Sequence, residues 1–70
     1  MDRTSVVSSN LHSVGYDSEA HILEVAFHSG SIYHYYSVPQ HIYDGLMAAA
    51  SHGKYLAVFV KKFYTYRRIR

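Results

Sequence analysis

The chain reads as a small α+β domain: a three-stranded antiparallel β-sheet packed by one or two short C-terminal helices. The sheet consists of a β-hairpin over Ile22–Tyr36 and an N-terminal strand. Three observations predict it. Ile22 to His28 alternates, with Leu23, Val25 and Phe27 on one face and Glu24, Ala26 and His28 on the other, which is the two-residue period of a strand. Ser29-Gly30 is turn chemistry, and Ile32 to Tyr36 is rich in β-forming residues. Ile42, Tyr43, Leu46, Met47 and Ala50 then recur at helical spacing, an apolar stripe able to cover one sheet face.

In chain order, Met1–Ser5 is expected to lie outside the fold. Val6 to Tyr16 reads as the first extended segment, with Val7, Leu11 and Val14 among serines, closed by Gly15-Tyr16-Asp17-Ser18. The hairpin follows, and its register decides where two tyrosines point, because paired residues share a face. A two-residue turn at Ser29-Gly30 pairs Phe27 with Ile32 and leaves Tyr33 and Tyr35 on the polar face. A three-residue turn with Gly30 in a bulge pairs Val25 with Tyr33 and Leu23 with Tyr35, turning both tyrosines into the core. The second register gives the cleaner apolar face and is preferred.

Val38-Pro39 fits a helix start with proline at the first helical position. Ser51-His52-Gly53 closes that helix. Tyr55 to Phe63 is open between two readings: Tyr55, Leu56, Phe59, Val60 and Phe63 fit a helical stripe, while Tyr55–Val60 also fits a buried strand. A short helix is the preferred assignment. Tyr64–Arg70 interleaves aromatic and basic residues and reads as an extended tail.

Length and composition set the limits. Seventy residues leave room for one core, and a domain of this size buries only about 60% of its unfolded surface, so dimerisation would help it. With no cysteine there are no disulfides. No apolar run approaches the ~20 residues that span a bilayer, and Met1–Ser5 lacks the apolar stretch of a signal peptide. The expected location is the cytoplasm, with no membrane partner.

Nothing in the motifs supports an enzyme. Six histidines, at positions 12, 21, 28, 34, 41 and 52, include no i,i+4 pair and no His-x-His, so no metal site is expected. The glycines at 15, 30, 45 and 53 are scattered singly and form no phosphate loop. No serine sits in a Gly-x-Ser-x-Gly elbow. No cofactor is implied.

Charge is the informative feature. Residues 1–53 hold all five acids and a single base, Arg3, for a net −4, whereas residues 54–70 hold six bases and no acid. The whole chain is +2. Lys54, Lys61, Lys62, Arg67, Arg68 and Arg70 could neutralise phosphates, and Tyr33, Tyr35, Tyr64 and Tyr66 offer rings for stacking unpaired bases. The same tyrosines could instead pack the tail on the sheet, with the arginines facing water.

In order and spacing, several short motifs resemble the KTSC domain family. They are Ser9-Asn10, Val14-Gly15-Tyr16-Asp17, Leu23-Glu24-Val25 with Phe27, Ser29-Gly30, Tyr33-His34-Tyr35 and Val38-Pro39. Ser51-x-Gly53-Lys54-Tyr55 and Tyr64-Thr65-Tyr66-Arg67-Arg68-Ile69 complete the set. The resemblance implies a small bacterial or phage protein related to a domain found at the C-terminus of some lysyl-tRNA synthetases. That company implies RNA as the partner, by association alone. Leu56-Ala57 stands where the family favours Phe-Asn, and Thr65 where it favours proline. These departures put in doubt a polar site over Ala57–Val60 and suit an apolar contact surface there. Two functions follow as expectations. One is an RNA-binding module, the ligand tRNA-like or single-stranded, using the basic and aromatic residues named above. The other is a protein-interaction or self-association module, such as a homodimer, with no nucleic-acid role.

Overall fold

The central hairpin adopts the preferred register. Strands β3 (Ile22–Phe27) and β4 (Ile32–Tyr35) pair Leu23 with Tyr35 and Val25 with Tyr33, and Gly30 takes the left-handed conformation at φ 98° that glycine tolerates best. Phe27 N–H donates to the Ser31 carbonyl at 2.9 Å, closing the turn.

The computed structural model describes all 70 residues and shows five strands where three were expected. The order is β1 (Thr4–Ser5), β2 (Leu11–Asp17), β3, β4 and β5 (Tyr66–Arg68), every neighbour antiparallel. Two additions account for the difference. Thr4 and Ser5, expected outside the fold, pair with Val14 and Ser13. The extended segment read as Val6–Tyr16 is broken because Ser8 Oγ accepts the Asn10 and Leu11 amides, a local turn that serine side chains favour. The C-terminal tail is the fifth strand: Tyr66 pairs with Tyr35, Arg67 with His34 and Arg68 with Tyr33.

Helix α1 spans Gln40–Ala48. Pro39 is extended (φ −71°, ψ 155°) and precedes the helix instead of opening it, one position earlier than expected. Leu46 is buried, with Ile42, Tyr43 and Met47 packed around it. His52 Nδ1 donates to the Leu46 carbonyl at 2.8 Å, satisfying one of the free carbonyls of a helix end. Helix α2 (His52–Tyr55) begins with Ser51 Oγ accepting the Lys54 amide. It runs directly into a widened π-type turn over Leu56–Val60, where Lys61 N–H reaches five residues back to the Leu56 carbonyl at 2.9 Å. The helical reading of Tyr55–Val60 therefore holds. The widened turn buries Leu56 and Val60 but leaves Phe59 48% and Phe63 71% exposed, so two of the five residues of the expected apolar stripe face out.

One sheet face and these helices enclose a nine-residue core: Leu11, Val14, Leu23, Val25, Tyr35, Val38, Leu46, Leu56 and Val60. Val38 is fixed through both main-chain groups. Its amide donates to the His21 carbonyl, and its carbonyl accepts the Tyr16 hydroxyl. No helix is long and apolar enough to cross a membrane.

Candidate functional site

Strand pairing decides which functional side chains meet. Val14, Val25, Tyr33 and Arg68 are cross-strand partners on one face, and Tyr16, Leu23, Tyr35 and Tyr66 follow two residues along on the same face. The helices cover the β2–β3 part of that face. At the β4–β5 end, beyond the widened turn, they leave an open cleft of about 420 Å³.

Phe27, Tyr33, Tyr35 and Tyr66 form the aromatic walls of this cleft, with Lys61 at its mouth and Ser29 and Ser31 on its rim. The rings make a continuous cluster. Phe27 meets Tyr33 edge-on at 5.6 Å between centroids, and Tyr66 lies 5.7 Å from Tyr33 and 5.8 Å from Tyr35. Lys61 Nζ sits 5.6 Å above the Phe27 ring, within reach of a cation–π attraction. Tyr35 forms the floor, only 3% exposed, whereas Tyr66 is 60% exposed. Burial, reinforced by Tyr33 and Tyr66, pushes the Tyr35 hydroxyl up to about 12. At ordinary pH Tyr35 therefore carries no phenolate to repel an anion.

The residues singled out from the sequence are divided by the fold. Tyr33, Tyr35, Tyr66 and Lys61 meet in the cleft, and the register puts Arg68 beside Tyr33. Lys62 lies just outside, on a shallow surface with Phe63 and Tyr66. Tyr64 is partly buried against the core, as Tyr33 is, and lines the same shallow surface as Lys62, apart from the cleft. Lys54 faces the Ser8–Asn10 loop. Arg67 projects on the opposite sheet face beside His34, and Arg70 lies there too, near Arg3. The six bases thus do not form one stripe: neighbours in a strand point to opposite faces, which splits Arg67 from Arg68. Sequence reasoning missed Phe27, Ser29 and Ser31. Phe27 was the findable one, since the preferred register already placed it on the Tyr33 face.

The opposite face is polar and internally paired. Glu24 accepts from Arg3 Nη1 at 2.8 Å and lies 2.7 Å from His34 Nε2. The Arg3 segment can cross there because Gly15 has no side chain; a Cβ would meet the Asp2 carbonyl at 2.6 Å. No three histidine or acidic side chains converge in a way that could hold a metal.

The comparisons agree on family. The model of the KTSC domain matches residues 7–64. That span holds Tyr33, Tyr35 and Lys61 of the cleft and stops before Tyr66. An uncharacterised protein of Stutzerimonas stutzeri is 44% identical over 70 residues, covering 99% of both chains. A protein of Tsukamurella paurometabola is 41% identical over 56 residues, 80% of this chain and 84% of that one. The crystal structure of a KTSC domain protein from Yersinia pestis superposes with a TM-score of 0.95 at 32% identity, covering 99% of this chain and 97% of its own. With the matched segment spanning most of the fold, the chain belongs to the KTSC domain family.

Proposed function

We propose that the chain is a non-catalytic binding module that takes single-stranded nucleic acid, RNA foremost, in the cleft between β4, β5 and the widened turn. One observation carries the reading: Tyr66 and Tyr33 present rings beside Lys61 and Arg68, and the segment 54–70 that supplies both cations holds no acid. Exposed rings stack unpaired bases at about 1–3 kcal/mol each, largely without regard to sequence, and the adjacent cations supply the salt-dependent backbone attraction. The choice of RNA rests on the family's association with a tRNA-charging enzyme.

The test is a titration of labelled tRNA, single-stranded RNA and duplex DNA at low and moderate salt, beside Tyr66→Ala and Lys61→Ala/Arg68→Ala. Single-stranded RNA should bind best, weaken with salt and bind least to the variants. Arg67→Ala, on the other face, should change little. Equal binding to duplex DNA, or none to any ligand, would sink the reading.

A second reading has its own observation. Val58 is 46% exposed, Phe59 48% and Phe63 71%, an apolar surface suited to a protein partner or a second copy. Sedimentation across a wide concentration range tests the self-association form of it, and a purely monomeric protein would remove that form.

A further inference from the structure

The tip of the β3–β4 hairpin carries polar groups that the cleft does not use. On the opposite sheet face, Arg3, His12, His28 and Arg70 line a depression of about 420 Å³ floored by Ala26 and Ile32, with no Asp or Glu side chain in its lining. Arg3 is balanced by Glu24. Arg70 has no acidic partner, and its backbone is fixed: its amide donates to the Ile32 carbonyl at 3.2 Å, and its carbonyl accepts the Ile32 amide at 3.1 Å. The rings are oriented as well. Arg3 Nε donates to Ser13 Oγ at 3.0 Å, so the Ser13 hydroxyl can give its hydrogen to His12 Nδ1 at 2.9 Å. In that network His12 Nε2 keeps a proton as a free donor. His28 Nε2 donates to the Ser8 carbonyl at 2.9 Å, and the two rings meet edge-on at 5.7 Å.

This depression and the aromatic cleft are joined. A smaller hollow at the hairpin tip is lined by Phe27, His28, Ser29 and Lys61 with Ser9 and Asn10. It shares Phe27, Ser29 and Lys61 with the cleft and Phe27 and His28 with the basic depression. The three form one track round the turn, from the inner face of the sheet to the outer.

We propose that this track is a continuous single-strand path, in which bases stacked at Tyr33 and Tyr66 lead over Ser29 and the following phosphates settle on Arg70 and His12. The inference rests on the cleft being a nucleic-acid site and assigns it a second, phosphate-binding part. The molecule measures 27 × 25 × 22 Å, so a path round one edge holds on the order of four to eight nucleotides, toward the low end for single-strand binders.

The experiment is a length series of labelled oligouridine, from about two to ten nucleotides, read by anisotropy at two salt concentrations. It compares the wild-type chain, Tyr66→Ala, His12→Ala/His28→Ala/Arg70→Ala and the single Arg70→Glu, whose exposed side chain can change without disturbing the fold. Wild-type affinity should rise with length to a plateau. The triple variant and Arg70→Glu should keep the affinity for the shortest oligomers and lose the rise, roughly tenfold at full length. The salt slope should fall by about 0.7 per lost phosphate contact. Tyr66→Ala should weaken every length. An unchanged rise in Arg70→Glu and the triple variant would overturn the track while leaving the cleft reading in place. So would loss of the shortest oligomers in Arg70→Glu. If no length binds the wild type, the cleft reading falls and takes this inference with it.

Discussion

Glu24 Oε1 and His34 Nε2 lie 2.7 Å apart across the β3–β4 ladder, and the other carboxylate oxygen takes Arg3 Nη1 at 2.8 Å. Burial alone would raise the Glu24 pKa, but hydrogen bonds from His34 and Arg3, with their charges, hold it below the ordinary carboxylate value of 4.5. A carboxyl with a depressed folded-state pKa stabilises the fold above its unfolded value and loses that contribution as pH falls through the folded one. Glu24→Gln should therefore cost about 1–3 kcal/mol at neutral pH and flatten the loss of stability below about pH 4.5. Urea unfolding at neutral pH and at about pH 3 checks it. A variant as acid-sensitive as the wild type would show that other groups govern the acid limb.

Tyr35 supplies the opposite sign. Its pKa is raised to about 12, first by burial and then by Tyr33 and Tyr66, so the folded chain holds this proton more tightly than the unfolded one. The contribution is complete below the ordinary value of 10.0 and is lost as pH climbs toward about 12. Tyr35→Phe keeps the ring in the core and removes the ionisation. It should hold its stability across that alkaline window, where the wild type declines; parallel decline in both, followed by circular dichroism, would contradict the assignment.

Gly45 sits in the middle of α1, where alanine is ordinarily better by about 1 kcal/mol. Here a Cβ would overlap the Tyr55 hydroxyl and approach its Cζ to 2.8 Å. Overpacking of this kind costs about 1–3 kcal/mol, so the steric term should exceed the helix-propensity gain. Gly45→Ala should lower the melting temperature, and combining it with Tyr55→Leu should recover part of the loss. A more stable single variant would mean that Tyr55 can swing aside freely.

These contacts explain what the sequence could and could not convey. The hairpin register was legible because Gly30 marked a left-handed position and Leu23, Val25, Tyr33 and Tyr35 then fell on one apolar face. Leu46 was legible for the same kind of reason, at the centre of a helical stripe. β5 was not: Tyr66–Arg68 is exposed throughout and has no apolar alternation, so only its distant partner in β4 makes it a strand. The split of the basic residues followed from that omission, since an unpaired tail has no faces to divide Arg67 from Arg68. The exposure of Phe59 and Phe63 escaped because a π-type turn shifts the apolar stripe that a regular helix would present. The cleft was half legible, with Tyr33, Tyr35, Tyr66 and Lys61 named but taken as parts of a longer basic surface.

The two C-terminal tyrosines give the sharpest separation of folding from binding. Tyr64 is partly buried against the core, and truncating a packed aromatic costs up to about 3–5 kcal/mol, so Tyr64→Ala should unfold at markedly lower urea. Tyr66 is 60% exposed and should lose far less stability on the same change. Binding should rank the other way: at a temperature where both variants are folded, Tyr66→Ala should bind single-stranded RNA roughly 5- to 100-fold more weakly, and Tyr64→Ala should bind nearly as the wild type does. Denaturation and anisotropy on the same samples make the comparison. If both variants lose affinity in proportion to stability, the cleft has no binding role of its own.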